Sequence, residues 1–139
     1  MIQRIFNELT RAHTLSYRLT GGLVGQHVPG LPPMLLLDHA GAKSGKKRTT
    51  PLVYIRDGED IVIVASKGGS RRNPAWFHNL RANPETTVQV GSRRLPVTAR
   101  IATADERARL WPKVVGAYRG YESYQGRTRR EIPLVILEP

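Results

Sequence analysis

The stretch that decides the fold is Arg48–Ala65, RTTPLVYIRDGEDIVIVA. It holds two apolar runs rich in β-branched residues, and the Asp57-Gly58 pair between them is a tight-turn signal. The reading is an antiparallel hairpin of Arg48–Arg56 and Asp60–Ala65. Pro51 has no N–H to give a ladder, so the strand around it belongs at a sheet edge or a bulge. On the N-terminal side, Met34–His39 is another short apolar strand, joined to the hairpin by the loop Gly41–Lys47. On the other side, Asn73-Pro74 opens a short helix, with Asn as the cap and Pro at the first position. That helix carries Trp76, Phe77 and Leu80 and ends before Pro84.

A second hairpin, Thr86–Val90 and Arg94–Ile101, turns at Gly91-Ser92. Thr103-Ala104-Asp105-Glu106 reads as a capping box opening a helix that Pro112 kinks or restarts. Leu134–Glu138 is the last strand. At the N-terminal end, Ile2, Ile5, Phe6, Leu9, Ala12 and Leu19 fall near helical spacing, so residues 2–20 read as an amphipathic helix stopped by Gly21-Gly22. Pro29-Gly30-Leu31-Pro32-Pro33 is an extended lead-in. The sum is an α+β chain: a small barrel of about six mostly antiparallel strands with peripheral helices. With no repeat or linker, residues 1–139 form a single domain.

Composition narrows the chemistry. The chain has no cysteine, which excludes disulfides, thiol nucleophiles and cysteine-ligated metal. Its apolar runs are far shorter than the roughly 20 residues of a spanning helix, and its start has no signal-peptide core, so a cytoplasmic protein is expected. Lys plus Arg number 22 against 11 acids, a formal charge of +11, which points to an anionic partner. The charge is uneven: residues 61–84 contain no acid but include Lys67, Arg71, Arg72 and Arg81, and Lys43, Lys46, Lys47 and Arg48 crowd one loop.

Several motifs fail on inspection. Gly41-Ala42-Lys43-Ser44-Gly45-Lys46-Lys47 has one residue too few between its glycines for a Walker loop, and Lys47 stands where Ser or Thr is needed. Gly68-Gly69-Ser70-Arg71-Arg72 lacks the closing glycine of a nucleophile elbow. His13, His27, His39 and His78 have no metal-ligand spacing, so no metal site is expected. What remains is two Gly/Ser/Lys loops, Lys43–Arg48 and Ser66–Ser70, at strand ends. Each reads as a solvated turn or as an anion cradle of backbone N–H groups, hydroxyls and ammonium groups. Trp76 and Asn79, three apart, read as core or as a shelf and a hydrogen-bonding partner for a planar ring. Tyr118, Tyr121 and Tyr124 repeat every three residues among polar neighbours, either as surface tyrosines or as the rim of a pocket.

GAKSGKKRTTPLVYI, VASKGGSRRNPAWFHNLRANP and the tyrosine-rich tail ending in REIPLVILEP together resemble the deazaflavin-dependent nitroreductase family, actinobacterial reductases that use coenzyme F420 on a split β-barrel. The resemblance covers most of residues 35–139 and implies that reduced F420 is the cofactor. It implies cofactor binding by Ala42, Lys43 and Ser44; by Arg48, Thr49, Thr50, Pro51, Leu52 and Val53; by Val64, Ala65, Ser66 and Lys67; and by Ala75, Trp76, Phe77, His78 and Asn79. Tyr121 then lies over the reactive ring face as the catalytic residue, and Ser66, Tyr118, Tyr121 and Tyr124 shape the substrate side. The implied reaction passes a hydride to a quinone, an unsaturated lactone or a nitroaromatic, with Tyr121 or solvent as proton source.

The rivals are an FMN-binding split barrel, a nucleic-acid-binding small barrel and a deazaflavin carrier without turnover. Against nucleic acid, Tyr54 is the only aromatic in the barrel strands. The expected partner is a small-molecule acceptor. Residues 2–20, with Arg4, Arg11 and Arg18, either pack on the barrel or touch an anionic membrane surface from the inner side. The oligomeric state is open, with a monomer favoured.

Overall fold

The computed structural model describes residues 11–15, 17–18 and 33–139. Its strands are β1 (Met34–Ala40), β2 (Lys47–Asp57), β3 (Asp60–Val64), β4 (Glu85–Val90), β5 (Arg93–Ile101) and β6 (Leu134–Glu138). Its helices are α1 (Ala75–Ala82), α2 (Ala104–Ala117) and α3 (Gly120–Gly126), with a 3-10 turn, η1, at Lys67–Gly69. Residues 11–15 and 17–18 are also helical; the rest of the helix expected over 2–20, and the lead-in up to Pro32, lie outside the described residues.

The six strands close into one ring in the order β1-β2-β3-β6-β5-β4, with every pairing antiparallel. The long strands β2 and β5 make the closure possible. Lys47–Val53 of β2 pair with β1 and Tyr54–Asp57 with β3; Arg93–Thr98 of β5 pair with β4 and Thr98–Ile101 with β6. Pro51 pairs only with Leu36, and Pro96 only with Thr87. Each proline therefore stands where its strand has a single neighbour, which is the edge position expected of Pro51.

Inside the ring, Leu35, Leu37, Ile61, Ile63, Val135 and Leu137 pack with Trp76, Phe77 and Leu80 of α1. The alternate residues Val62, Val64, Leu134 and Ile136 face outward, where Leu110 and Val114 of α2, Ile132 and Tyr121 of α3 cover them. Strands β3 and β6 are thus buried on both faces, which is why they read as unbroken apolar runs rather than as alternation. Each such side chain, fully buried, contributes roughly 1.5–3 kcal/mol.

The capping box of α2 forms as expected: Thr103 Oγ1 accepts from the Glu106 N–H, and Glu106 Oε1 accepts from the Thr103 N–H. Two expectations need correction. Pro112 does not restart α2, which runs through it. Pro112 and Ala108, whose carbonyl loses its partner, are both exposed, which leaves water as the partner open to the freed oxygen. Asn73 does not cap α1; Pro74 holds that position without a side-chain cap, and the Asn73 amide oxygen serves Arg130 instead.

Candidate functional site

The loop between β1 and β2 folds on itself. The Gly41 N–H donates to the Lys46 carbonyl (2.9 Å), the Gly45 N–H to the Gly41 carbonyl (2.8 Å), and the Lys46 N–H to Ser44 Oγ (3.1 Å). Gly45 takes φ +68°, a left-handed conformation that glycine enters without steric cost. One bond anchors the loop outward: the Ala42 N–H donates to Asn79 Oδ1 of α1 (2.9 Å). The Asn79 Nδ2 then donates to His39 Nδ1 (2.9 Å), which leaves His39 Nε2 to carry the proton and donate to Thr50 Oγ1 (2.8 Å). Burial, reinforced by the charge of Arg48, lowers the His39 pKa and keeps the ring neutral. The chain Ala42–Asn79–His39–Thr50 thus ties the first glycine loop, α1, β1 and β2 together.

Beside this loop lies a groove of about 470 Å³ that takes Lys46, Lys47 and Arg48 from β2 and its approach, and Arg11 and Arg18 from the N-terminal helical residues. Arg18 also pairs with Asp38 (3.1 Å), which accepts from Thr49 Oγ1 (2.7 Å). Tyr17 fixes the same helical residues to the barrel: its hydroxyl donates to the Met34 carbonyl (2.9 Å) and accepts from the Gly91 N–H (2.8 Å). A second, separate concavity at the start of α1, of about 560 Å³, is lined by Lys67, Arg71, Arg72, Asn73, Ala75 and His78.

The segment after β3 is built differently from the first loop. Lys67 stands at φ +45° and Gly69 at φ +80°. A Cβ on Gly69 would lie 2.5 Å from the Tyr124 carbonyl oxygen, so glycine is what lets α3 rest on this segment. The tyrosines of the tail meet there. The Tyr118 and Tyr121 rings pack edge to face at 5.1 Å, Tyr124 lies 6.1 Å from each, and the Tyr118 and Tyr124 hydroxyls hydrogen-bond at 3.2 Å. Tyr121 is buried, and its burial raises its pKa above the ordinary tyrosine range.

The structure sorts the site residues read from the sequence. Ala42, Lys43, Ser44, Arg48, Lys67, Ala75 and His78 are exposed, and Thr49, Thr50, Pro51, Leu52 and Val53 are half-buried. Val64, Ala65, Ser66, Trp76, Phe77 and Asn79 are buried. Trp76 is buried and packs in the barrel core cluster. Asn79 is spent on Ala42 and His39. Tyr118 and Tyr124 border the tail cluster, while Tyr121 sits inside it rather than on an open rim.

Two residues escape the sequence reading. His39 carries a signal: in β1 it keeps the period of Leu35 and Leu37 and therefore points inward. Arg130 carries none, since it stands in a polar run whose role depends on a segment some sixty residues earlier. The donor set suits an anionic cofactor, because five cations and no carboxylate line the groove beside a loop with exposed hydroxyl and ammonium groups. Among the described residues no group of His, Asp and Glu could hold a metal ion.

Comparison with known proteins agrees with this chemistry. Residues 9–139 match the family model described as F420H(2)-dependent quinone reductase. The F420H(2)-dependent quinone reductase of Mycobacterium tuberculosis strain H37Rv is 47% identical over 134 residues, covering 94% of this chain and 89% of that one. A solved F420-H2 dependent reductase, FDR-A, superposes with a TM-score of 0.71 at 43% identity, covering 81% of this chain and all of that one. Another solved chain, described as a domain-swapped dimer, gives a TM-score of 0.72 at 38% identity over 99% of this chain and 100% of that one. A chain that closes the same barrel and matches over nearly its whole length belongs to the F420H(2)-dependent quinone reductase family.

Proposed function

We infer that residues 1–139 form one catalytic domain that uses reduced coenzyme F420 to reduce a quinone by hydride transfer. The observation that carries this reading is the groove of Arg11, Arg18, Lys46, Lys47 and Arg48 beside the closed first loop, a complement to the phosphodiester and carboxylates of the cofactor tail. When bound, the deazaflavin supplies the hydride. The protein's share is to bind, orient and shield. In this reading Lys43, Ser44 and Arg48 hold the tail, with Ala42 kept in place by Asn79. The segments 48–53, 64–67 and 75–79 line the rest of the cofactor, the buried members contributing backbone and shape.

A quinone needs one proton besides the hydride to become a hydroquinone. Tyr121 and solvent are the candidate sources, with Tyr118, Tyr124 and Ser66 on the acceptor side. Burial makes the Tyr121 phenol a weaker acid while leaving its O–H able to hydrogen-bond an acceptor oxygen. Tyr121→Phe is expected to lower kcat about tenfold or more while leaving cofactor affinity within about twofold. An unchanged kcat assigns the proton to solvent.

The test of the whole reading is a fluorescence titration with oxidised F420 and, in parallel, FMN. Saturable binding of F420, at least about tenfold tighter than FMN, is expected, followed by oxidation of reduced F420 by a soluble naphthoquinone. Equal or tighter FMN binding overturns the cofactor, and binding without turnover makes the protein a carrier. Lactone and nitroaromatic acceptors belong in the same screen.

The reading extends to a cytoplasmic protein that touches the inner membrane surface through residues 2–20, where a lipid quinone is found. Exposed Leu15 and Arg11, one helical turn apart, support the contact. No helix among the described residues is long and apolar enough to cross a membrane. Co-sedimentation with anionic vesicles tests the contact, and scattering after gel filtration tests the monomer against a swapped dimer.

A further inference from the structure

Arg130 lies between α3 and β6, and every hydrogen bond of its guanidinium goes to the segment Ala65–Asn73. Nε donates to the Ser70 carbonyl (2.9 Å), Nη1 to the Ala65 carbonyl (3.1 Å) and to Asn73 Oδ1 (2.6 Å), and Nη2 to the Ser66 carbonyl (2.7 Å). Among the described residues no carboxylate pairs with it; the neighbouring Glu131 pairs with Arg107 instead. The clasped segment also makes bonds of its own, one of them from Ser70 Oγ to the Arg72 carbonyl (2.8 Å). Its internal backbone bonds are Gly69 N–H to Ser66 O (2.9 Å) and Ser70 N–H to Lys67 O (3.2 Å), and it contains two left-handed residues.

A trans peptide points its N–H opposite to its carbonyl, and no peptide among the described residues is cis. When Arg130 draws the carbonyls of Ala65, Ser66 and Ser70 to itself, the N–H groups of Ser66, Lys67 and Arg71 must point the other way. None of those three N–H groups has an acceptor among the described residues. They are donors without partners, on the segment that leads into the basic concavity of Lys67, Arg71, Arg72 and His78.

We propose that Arg130 is a positioning residue for the cofactor site: it turns the backbone of residues 65–71 so that the Ser66, Lys67 and Arg71 N–H groups donate to acceptor oxygens of bound F420. The role rests on the F420 reading above. Arginine suits it because a planar fork with five donors can hold several carbonyls at once, which a lysine ammonium cannot do in the same geometry.

The test compares Arg130→Ala, Arg130→Lys and Arg107→Ala with the wild type. Arg107 is the control because it supports the same tail, through the Ile132 carbonyl and Gln125, without touching residues 65–73. Two quantities are read: the Kd for oxidised F420, and hydrogen exchange of residues 65–73 in the protein alone. Arg130→Ala is expected to weaken F420 about tenfold or more and to speed exchange in this segment while the barrel strands stay protected. Arg130→Lys is expected to weaken binding about threefold or more, and Arg107→Ala to stay within about twofold.

A folded Arg130→Ala with wild-type affinity, or an equal loss in Arg107→Ala, overturns the proposal. Should Arg130→Ala not fold, Arg130→Lys decides by the same criterion. Wild-type protein that does not bind F420 removes the functional reading and this role together. Wild-type binding with unaffected Arg130 variants removes this role alone.

Discussion

Gly41–Lys46 and Ala65–Asn73 share a vocabulary of glycine, serine and lysine, yet the structure holds them by different means. The first loop closes through its own backbone and the Ser44 hydroxyl, and borrows one side chain, Asn79. The second has internal bonds of the same kind, Gly69 N–H to the Ser66 carbonyl, Ser70 N–H to the Lys67 carbonyl and Ser70 Oγ to the Arg72 carbonyl. It is held from outside as well, by the Arg130 guanidinium on one side and by α3 resting on Gly69. A self-closed loop depends on local sequence and tolerates distant change. A loop held from outside is as ordered as the residues that hold it, so its shape can be lost through substitutions far away.

Glycine substitutions break this comparison most directly. Gly69→Ala meets two costs, a left-handed φ of +80° and a Cβ 2.5 Å from the Tyr124 carbonyl oxygen, so backbone must move. The expected loss is roughly 2–5 kcal/mol of unfolding free energy, together with lower turnover as the tyrosine cluster shifts. Gly45→Ala meets the first cost alone, since nothing lies within 4 Å of the place its new methyl group would take, and about 1–2 kcal/mol is expected. Urea unfolding of both variants measures the difference. Equal losses would mean that the two loops are held alike.

This contrast also explains what the sequence can say. The β2–β3 hairpin, the capping box at Thr103 and the final strand are legible because each depends on residues close in sequence. The cation-rich first loop is legible for the same reason. The Asn73 cap is misread because the competing partner, Arg130, is remote in sequence and nothing local announces it. The restart offered at Pro112 does not occur because a helix tolerates proline on its exposed face, and that depends on which face packs. Trp76 and Tyr121 keep two readings each, and only packing settles that both are buried.

Asn79 gives the next largest effect, because it is the first loop's one borrowed support. Asn79→Ala removes the acceptor for Ala42 and the donor for His39, leaving buried polar atoms unpaired, and is expected to cost roughly 1–3 kcal/mol and to weaken F420 binding. The same chain predicts a pH effect. His39 ordinarily titrates at 6.5, and burial lowers its folded value. The unfolded chain therefore gains a proton that the folded chain refuses. The His39 contribution is present above pH 6.5 and is lost as pH falls through the folded value. Chemical unfolding at several pH values below about 7 should show this loss in the wild type and its reduction in His39→Gln, which cannot take up the proton. Loss of equal size in His39→Gln would place the titration elsewhere.

The smallest expected effect contrasts two arginines rather than two loops. Arg109 faces Asp57 through a bidentate pair of 3.1 and 2.9 Å, joined by Lys113 at 3.2 Å, on an open surface. Those partners lower the Asp57 carboxyl from 3.8 to about 2, the Arg109 hydrogen bonds contributing most. A lowered carboxyl stabilises the fold above its ordinary value and loses that contribution as pH falls from near 3.8 toward 2. Solvent screens such a pair, so Arg109→Ala should lower stability only slightly at neutral pH, and the difference from the wild type should shrink as pH falls toward 2 and as salt is added. Urea unfolding at neutral pH and in acid, followed by far-ultraviolet circular dichroism, measures it. The opposite is expected at Arg130, whose partners are carbonyl dipoles that do not titrate and are partly screened from water, so its loss should be felt alike in mild acid and at neutral pH. An Arg130→Ala defect that fades in acid would mean that a carboxylate partner, and not the backbone of residues 65–73, is what that guanidinium holds.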